Sequence, residues 1–106
     1  MKKLLTLSLL LGTSYSLSAA ELEQLHGVQF TENNMTIFVT STGCTEKEDF
    51  VTALDKSTTP AGLMILRTKP DICRGASRVY PIKYSYNEIG GKNVKVLNHF
   101  VPAPNL

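Results

Sequence analysis

The chain has no tryptophan, only two cysteines and only two histidines, and each shortage closes a class of function. Without tryptophan there is no antibody-type core, in which a buried indole packs against a cysteine pair lying within strands. Cys44 and Cys73 are too far apart for a C-x-x-C redox pair. No two ligand-type residues have the local spacing of a zinc site. His26 and His99 lie at opposite ends of the sequence. Neither has a partner at diagnostic spacing, and Ser41, Ser77 and Ser85 lack a nucleophile-elbow motif. Glu48 and Asp49 are adjacent, so they diverge on a strand or a helix and do not pair as glycosidase carboxylates do. Gly90-Gly91-Lys92 echoes a phosphate loop in two residues only. The expectation is a non-enzyme, with no catalytic residue, no metal and no cofactor.

A long apolar run is also missing. Leu4-Leu5-Thr6-Leu7-Ser8-Leu9-Leu10-Leu11 is shorter than the ~20 residues a helix needs to cross a bilayer. It follows the basic start Met1-Lys2-Lys3 and precedes the small residues Ser18-Ala19-Ala20. Together these features read as a secretory signal peptide, residues 1–20, cut after Ala20. The expected address is the periplasm or the extracellular space. No cysteine follows the cut, which argues against a lipoprotein anchor.

Removing twenty residues from 106 leaves 86, residues 21–106, enough for a single small domain. A domain of this size buries only about 60–65% of its unfolded surface and is marginal without help. Cys44 and Cys73 sit beside the loop-forming residues Thr42-Gly43 and Arg74-Gly75. In an oxidising compartment they are expected to form a structural disulfide.

Loss of Lys2 and Lys3 with the leader takes the formal charge from +2 to zero. Nucleic acid is therefore a poor partner. The distribution is polarised. Residues 21–66 hold seven acids and two bases, and residues 67–106 hold seven bases and two acids. The simplest expectation is that the halves neutralise one another across the fold. The alternative is a basic face for an acidic partner.

What the chain does have is strand signal. Met35-Thr36-Ile37-Phe38-Val39-Thr40 is β-branched and alternating, with Met35, Ile37 and Val39 on one face. Val28-Gln29-Phe30 and Phe50-Val51-Thr52-Ala53-Leu54 read as further strands. Leu63-Met64-Ile65-Leu66 is apolar throughout and predicts a central strand buried on both faces. Val79-Tyr80-Pro81-Ile82-Lys83-Tyr84 predicts an edge strand, because Pro81 has no N–H to donate. Val94-Lys95-Val96-Leu97 closes the series, with His99-Phe100-Val101 as its extension. Capping boxes are expected at Thr45/Glu48 and at Ser85/Glu88, the second stopped by Gly90-Gly91. The fold class is all-β and mainly antiparallel: a small β-sandwich or partly open barrel of about six or seven short strands, with at most one or two helical turns and one disulfide.

Gly43-Cys44-Thr45 with Glu48-Asp49-Phe50, then Leu66-Arg67 with Lys69-Pro70-Asp71 and Cys73, resembles small uncharacterised exported proteins of Gram-negative bacteria. The resemblance spans residues 37–97. It implies export and the disulfide, and no activity.

Binding is the function left by elimination. Arg67, Lys69 and Arg74 cluster near the second cysteine, and Tyr80, Tyr84 and Tyr86 follow. Arg and Tyr dominate interface hot spots. These six residues are the candidate contact surface for an unknown protein partner in the periplasm or outside the cell, with the protein acting as an accessory or assembly factor. Two rivals stand beside this. One is a secreted inhibitor of a hydrolase, working through loop 42–49 or loop 69–75. The other is a carrier of a small apolar ligand inside the β fold.

Overall fold

Strand β3 (Asn34–Ser41) sets the frame. Its alternation buries Met35, Ile37, Val39 and Ser41 and leaves Thr36, Phe38 and Thr40 half-buried on the other side. The structure, a computed structural model, describes residues 20–103. Residues 1–19, which are all of the expected leader 1–20 except Ala20, and the end of the tail, residues 104–106, lie outside the described residues.

Along the described chain run β1 (Glu21–Leu22), β2 (Gly27–Phe30), β3, β4 (Phe50–Asp55), β5 (Ala61–Arg67), β6 (Arg78–Ser85), a single helical turn α1 (Tyr86–Ile89) and β7 (Val94–Val96). Lys47–Asp49 forms one 3-10 turn before β4. Two sheets result. In one, β2 and β6 flank β3, both antiparallel. In the other, β5 is central, with β4 antiparallel on one side and β1 and β7 sharing the other. The β5–β7 pair is parallel.

The two sheets pack their apolar faces together. Met35, Ile37, Val39, Ile82 and Tyr84 from one sheet meet Phe50, Leu63 and Ile65 from the other, with Leu25 and Ile89 closing the cluster. At roughly 1.5–3 kcal/mol for each large apolar side chain taken out of water, this cluster is the main driving force of the fold. The expected all-β sandwich is therefore the observed one, and β6 is the edge strand, its Pro81 opposite Phe38.

Three local expectations need correction. The first capping turn is capped by Glu46, one residue later than expected: the Glu46 N–H donates to Asp49 Oδ2 at 3.0 Å. Thr45 is taken by another acceptor. Leu63-Met64-Ile65-Leu66 is central but buries one face fully; Met64 and Leu66 are only half-buried. Residues 99–101 do not prolong β7; Phe100 pairs with Leu25 in an isolated parallel bridge. Both ion pairs among the described residues join residues 21–66 to residues 67–106. Of the seven bases from Arg67 onward, Arg67 alone is ion-paired among the described residues, to Glu23. The other ion pair joins Lys47 to Glu88 at 2.8 Å. The second capping box forms as expected: Ser85 Oγ accepts from the Glu88 N–H, Glu88 accepts from the Ser85 N–H, and Gly90 takes φ 94° to end the turn.

One edge of β5 is completed by a side chain. β1 reaches Leu66 and Arg67, and β7 reaches residues 61–63, so Ile65 falls between them. Asn98 fills the gap. Its Oδ1 accepts from the Ile65 N–H at 2.9 Å, and its Nδ2 donates to the Ile65 and Glu23 carbonyls at 2.8 and 2.6 Å. A carboxamide presents the same donor and acceptor as a peptide group, so it continues the ladder where no strand does.

Candidate functional site: the loop pair at the disulfide

β3 and β5 end on the same side of the sandwich. The loops that leave them, residues 42–46 and 68–77, lie together and are joined by the Cys44–Cys73 disulfide, with Cα atoms 5.6 Å apart. Gly43 takes φ 124°, and a Cβ there would lie 3.3 Å from the Cys73 Cβ. Gly75 lies so close to its neighbour loop that a Cβ would meet the Thr42 carbonyl oxygen at 2.6 Å. Glycine is required at both places for the loops to approach.

The centre of the arrangement is Asp71. Its Oδ2 accepts from the backbone N–H of Thr42 at 2.8 Å, the hydroxyl of Thr45 at 2.7 Å, the N–H of Cys44 at 3.2 Å and the hydroxyl of Ser41 at 3.3 Å. Its Oδ1 accepts from the Thr42 hydroxyl at 2.8 Å and the Cys73 N–H at 3.1 Å. One carboxylate thus fixes three residues of the first loop, the end of β3 at Ser41, and its own loop at Cys73. The Thr45 hydroxyl first, then the Thr42 N–H and hydroxyl and the Cys73 N–H, hold the Asp71 carboxyl far below the usual carboxylate range. Cys44, Asp71 and Cys73 have their ligand-type atoms within 4.8 Å of one another. The sulfurs are spent in the disulfide and the carboxylate oxygens on six donors, so the cluster acts as a clasp.

Arg67 supports the clasp from inside. It holds Glu23 through two bonds of 3.0 Å, lies 4.6 Å over the Phe50 ring, and reaches the Thr45 hydroxyl and the Thr40 carbonyl at 3.3 Å each. That guanidinium thus joins the segment after β1, the end of β3, the first loop and the start of β4.

The six sequence-derived candidates therefore separate. Lys69 and Tyr80 come together, lining a groove of about 480 Å³ with Gly43, Cys44, Glu46 and Arg78. Arg74 stands exposed on the second loop. Arg67 is committed to structure. Tyr84 is buried, 5% exposed, with its hydroxyl unpartnered. Burial, then the carboxylates of Glu88 and Glu48, push that hydroxyl up to about 12. Its ring borders a different hollow of about 530 Å³, beneath the Lys47 ammonium 4.9 Å from the ring centre. Tyr86 lies beyond the far end of β6, where its hydroxyl bonds the Thr31 and Asn34 carbonyls and Lys92 covers its ring. Four residues along a strand carry a side chain ~13 Å, so Tyr80 and Tyr84 cannot share a small contact.

Sequence reasoning reached Asp71 and Ile72 only as members of loop 69–75, without a role for either, and passed over Arg78. Ile72 is 80% exposed at the tip of the second loop, between the anchored residues Asp71 and Cys73. The signal for Asp71 was present: an acid two residues before one cysteine, and the hydroxyl-rich Ser41-Thr42-Gly43-Cys44-Thr45 around the other.

No protein-family model, no curated protein and no solved structure matches this chain. Among the described residues no helix is long and apolar enough to cross a membrane.

Proposed function

We propose that this chain is an exported, non-catalytic binding protein that grips a partner protein with the loop pair clasped by Cys44, Cys73 and Asp71. The observation that carries the reading is Ile72, 80% exposed on a loop that its neighbours hold still. Burying a large apolar residue from a preordered loop yields affinity with little ordering cost. Lys69 and Arg74 are exposed on the same loop and Arg78 begins β6 just after it, and none of the three is ion-paired among the described residues. The matching partner surface is an apolar hollow rimmed with acidic side chains. Residues 1–20 supply the export signal, and the disulfide suits the oxidising space outside the cytoplasm.

The test is crosslinking mass spectrometry on protein captured from its native host. Crosslinks from Lys69 to one recurrent protein, lost in Ile72→Asp and in Arg74→Ala, are the expected result. Both changes lie on exposed loop positions and leave the melting temperature unchanged. Crosslinks that persist in the variants, or that map to the outer faces of the sheets, overturn the reading.

A further inference from the structure

We infer that the clasped loop is shaped to occupy the active site of a serine peptidase of trypsin-like specificity, with Arg74 in its acidic specificity pocket. This rests on the loop-binding reading above and names the partner of that same loop. A peptidase cleft takes its substrate as an extended segment and adds it as a strand, so the occupying segment must offer alternate residues with free backbone groups. Residues 71–74 show that alternation. Asp71 and Cys73 are half-buried, while Ile72 and Arg74 are exposed. The inward residues are fastened to the scaffold, Cys73 through its N–H to Asp71 Oδ1 at 3.1 Å and through its disulfide. Neither Ile72 nor Arg74 takes part in any hydrogen bond among the described residues. Their N–H and C=O groups are free for a partner strand. Arg74 carries a full positive charge on an exposed side chain without an acidic partner, the chemistry that an aspartate at the base of a trypsin pocket selects.

The residue after Arg74 explains why the loop would inhibit and not be consumed. An attacking serine adds its Oγ to the Arg74 carbonyl carbon and breaks the Arg74–Gly75 C–N bond. Its proton passes through the peptidase histidine to the Gly75 nitrogen. That nitrogen already donates to the Thr42 carbonyl at 2.8 Å. The Arg74 side of the cut is held by the disulfide and Asp71, and the Gly75 side runs into β6, which is paired along its length with β3. Both ends stay in place after cleavage, the amine remains beside the acyl ester, and the reverse step re-forms the peptide bond. Gly75 is the residue that lets the two loops approach closely enough for this, since any side chain there meets the Thr42 carbonyl.

The experiment titrates the purified chain, disulfide intact, into trypsin, with chymotrypsin as the control, and follows hydrolysis of chromogenic arginine and phenylalanine substrates. The expected result is one-to-one inhibition of trypsin and little of chymotrypsin. Arg74→Ala is expected to weaken trypsin inhibition by roughly a thousandfold with an unchanged melting temperature. Arg74→Phe is expected to transfer the inhibition to chymotrypsin. Full trypsin activity in the presence of excess chain overturns the inference, as does rapid cleavage after Arg74 with the peptidase released active. If trypsin is untouched while the Ile72-dependent crosslinks persist, the peptidase inference alone falls and the loop-binding reading stands. If both fail, the loop is not the binding surface.

Discussion

The loop pair around Asp71 and the sheet edge around Asn98 each rest on one polar side chain, yet the two regions use it differently. Asn98 is buried and replaces backbone: it mends a ladder that two short strands leave open at Ile65. Asp71 is half-exposed and gathers donors that no strand would satisfy, so that two loops hold one shape. The first residue serves the stability of the whole sandwich. The second serves the geometry of one end. Order in this molecule is therefore supplied twice, once by the apolar interior and once by a polar clasp at the sandwich's end.

Opening the clasp covalently is the largest intervention. The disulfide closes a loop of sequence separation 29. In the chain-entropy account that loop contributes roughly 3–4 kcal/mol. Replacing Cys44 and Cys73 with alanine together is expected to lower the urea midpoint accordingly, with the sheets still formed when the chain is folded. A loss below 1 kcal/mol would mean that Asp71 alone holds the loops.

Asn98→Ala comes next and strikes the other region. It leaves the Ile65 N–H buried without a partner, while the Ile65 carbonyl keeps the Glu23 N–H at 3.0 Å. A drop of about 1–3 kcal/mol in urea unfolding is expected, with Ile72-dependent crosslinking unchanged below the transition. Loss of crosslinking in a chain that remains folded would show that the two regions are coupled.

The clasp also carries an acid signature. The folded Asp71 carboxyl titrates well below its unfolded value of about 3.9, because the Thr45 hydroxyl, then Thr42 and Cys73, stabilise the carboxylate. A depressed carboxyl contributes stability that is complete above the unfolded value and is lost as the pH falls below it. Stability is therefore expected to fall from about pH 4 downward, and Asp71→Asn to flatten that fall. The amide keeps the shape but turns an NH2 toward the donors of the first loop. A residual slope remains in the variant, from Glu88, lowered by the hydrogen bond from Lys47, and from Asp55, lowered by Ser57. An unaltered acid profile would place the acid-sensitive contact elsewhere.

The interior was legible in the sequence and the clasp was not, for a physical reason. Burial imposes a period of two, and Met35, Ile37, Val39 and Tyr80, Ile82, Tyr84 announce it. Ser85 with Glu88 and the glycines after them are equally local, and that turn formed as read. Asp71 and Asn98 act across sequence separations of 26 to 33 residues on the first loop and on Ile65, and no local pattern encodes such partners. The contact surface was misjoined for the same reason. Arg67, Tyr80, Tyr84 and Tyr86 are close in sequence, but Arg67 ends an inner strand face and the tyrosines spread along β6 to its far end. The Thr45 cap was displaced because Asp71 claims its hydroxyl, a competition that the capping pattern cannot see.

The smallest expected effect separates the sandwich from the clasp most cleanly. Tyr84 faces the core opposite the region of Asp71, and its hydroxyl is buried with no partner among the described residues. An unmet buried hydroxyl costs stability, so removing it relieves the cost while the ring goes on filling the same space. Tyr84→Phe is expected to raise stability by up to about 1 kcal/mol in urea unfolding, without touching the loop-dependent crosslinks. The phenol itself offers a second reading of the same site. Burial, assisted by Glu88 and Glu48, pushes it up to about 12. An absorbance titration at 295 nm should show an ionisation step above the ordinary tyrosine value, and that step should vanish in Tyr84→Phe. A destabilised variant would mean that the hydroxyl has found a bound water, and that the hollow beside Lys47 and Glu88 reaches further into the sandwich than its lining residues describe.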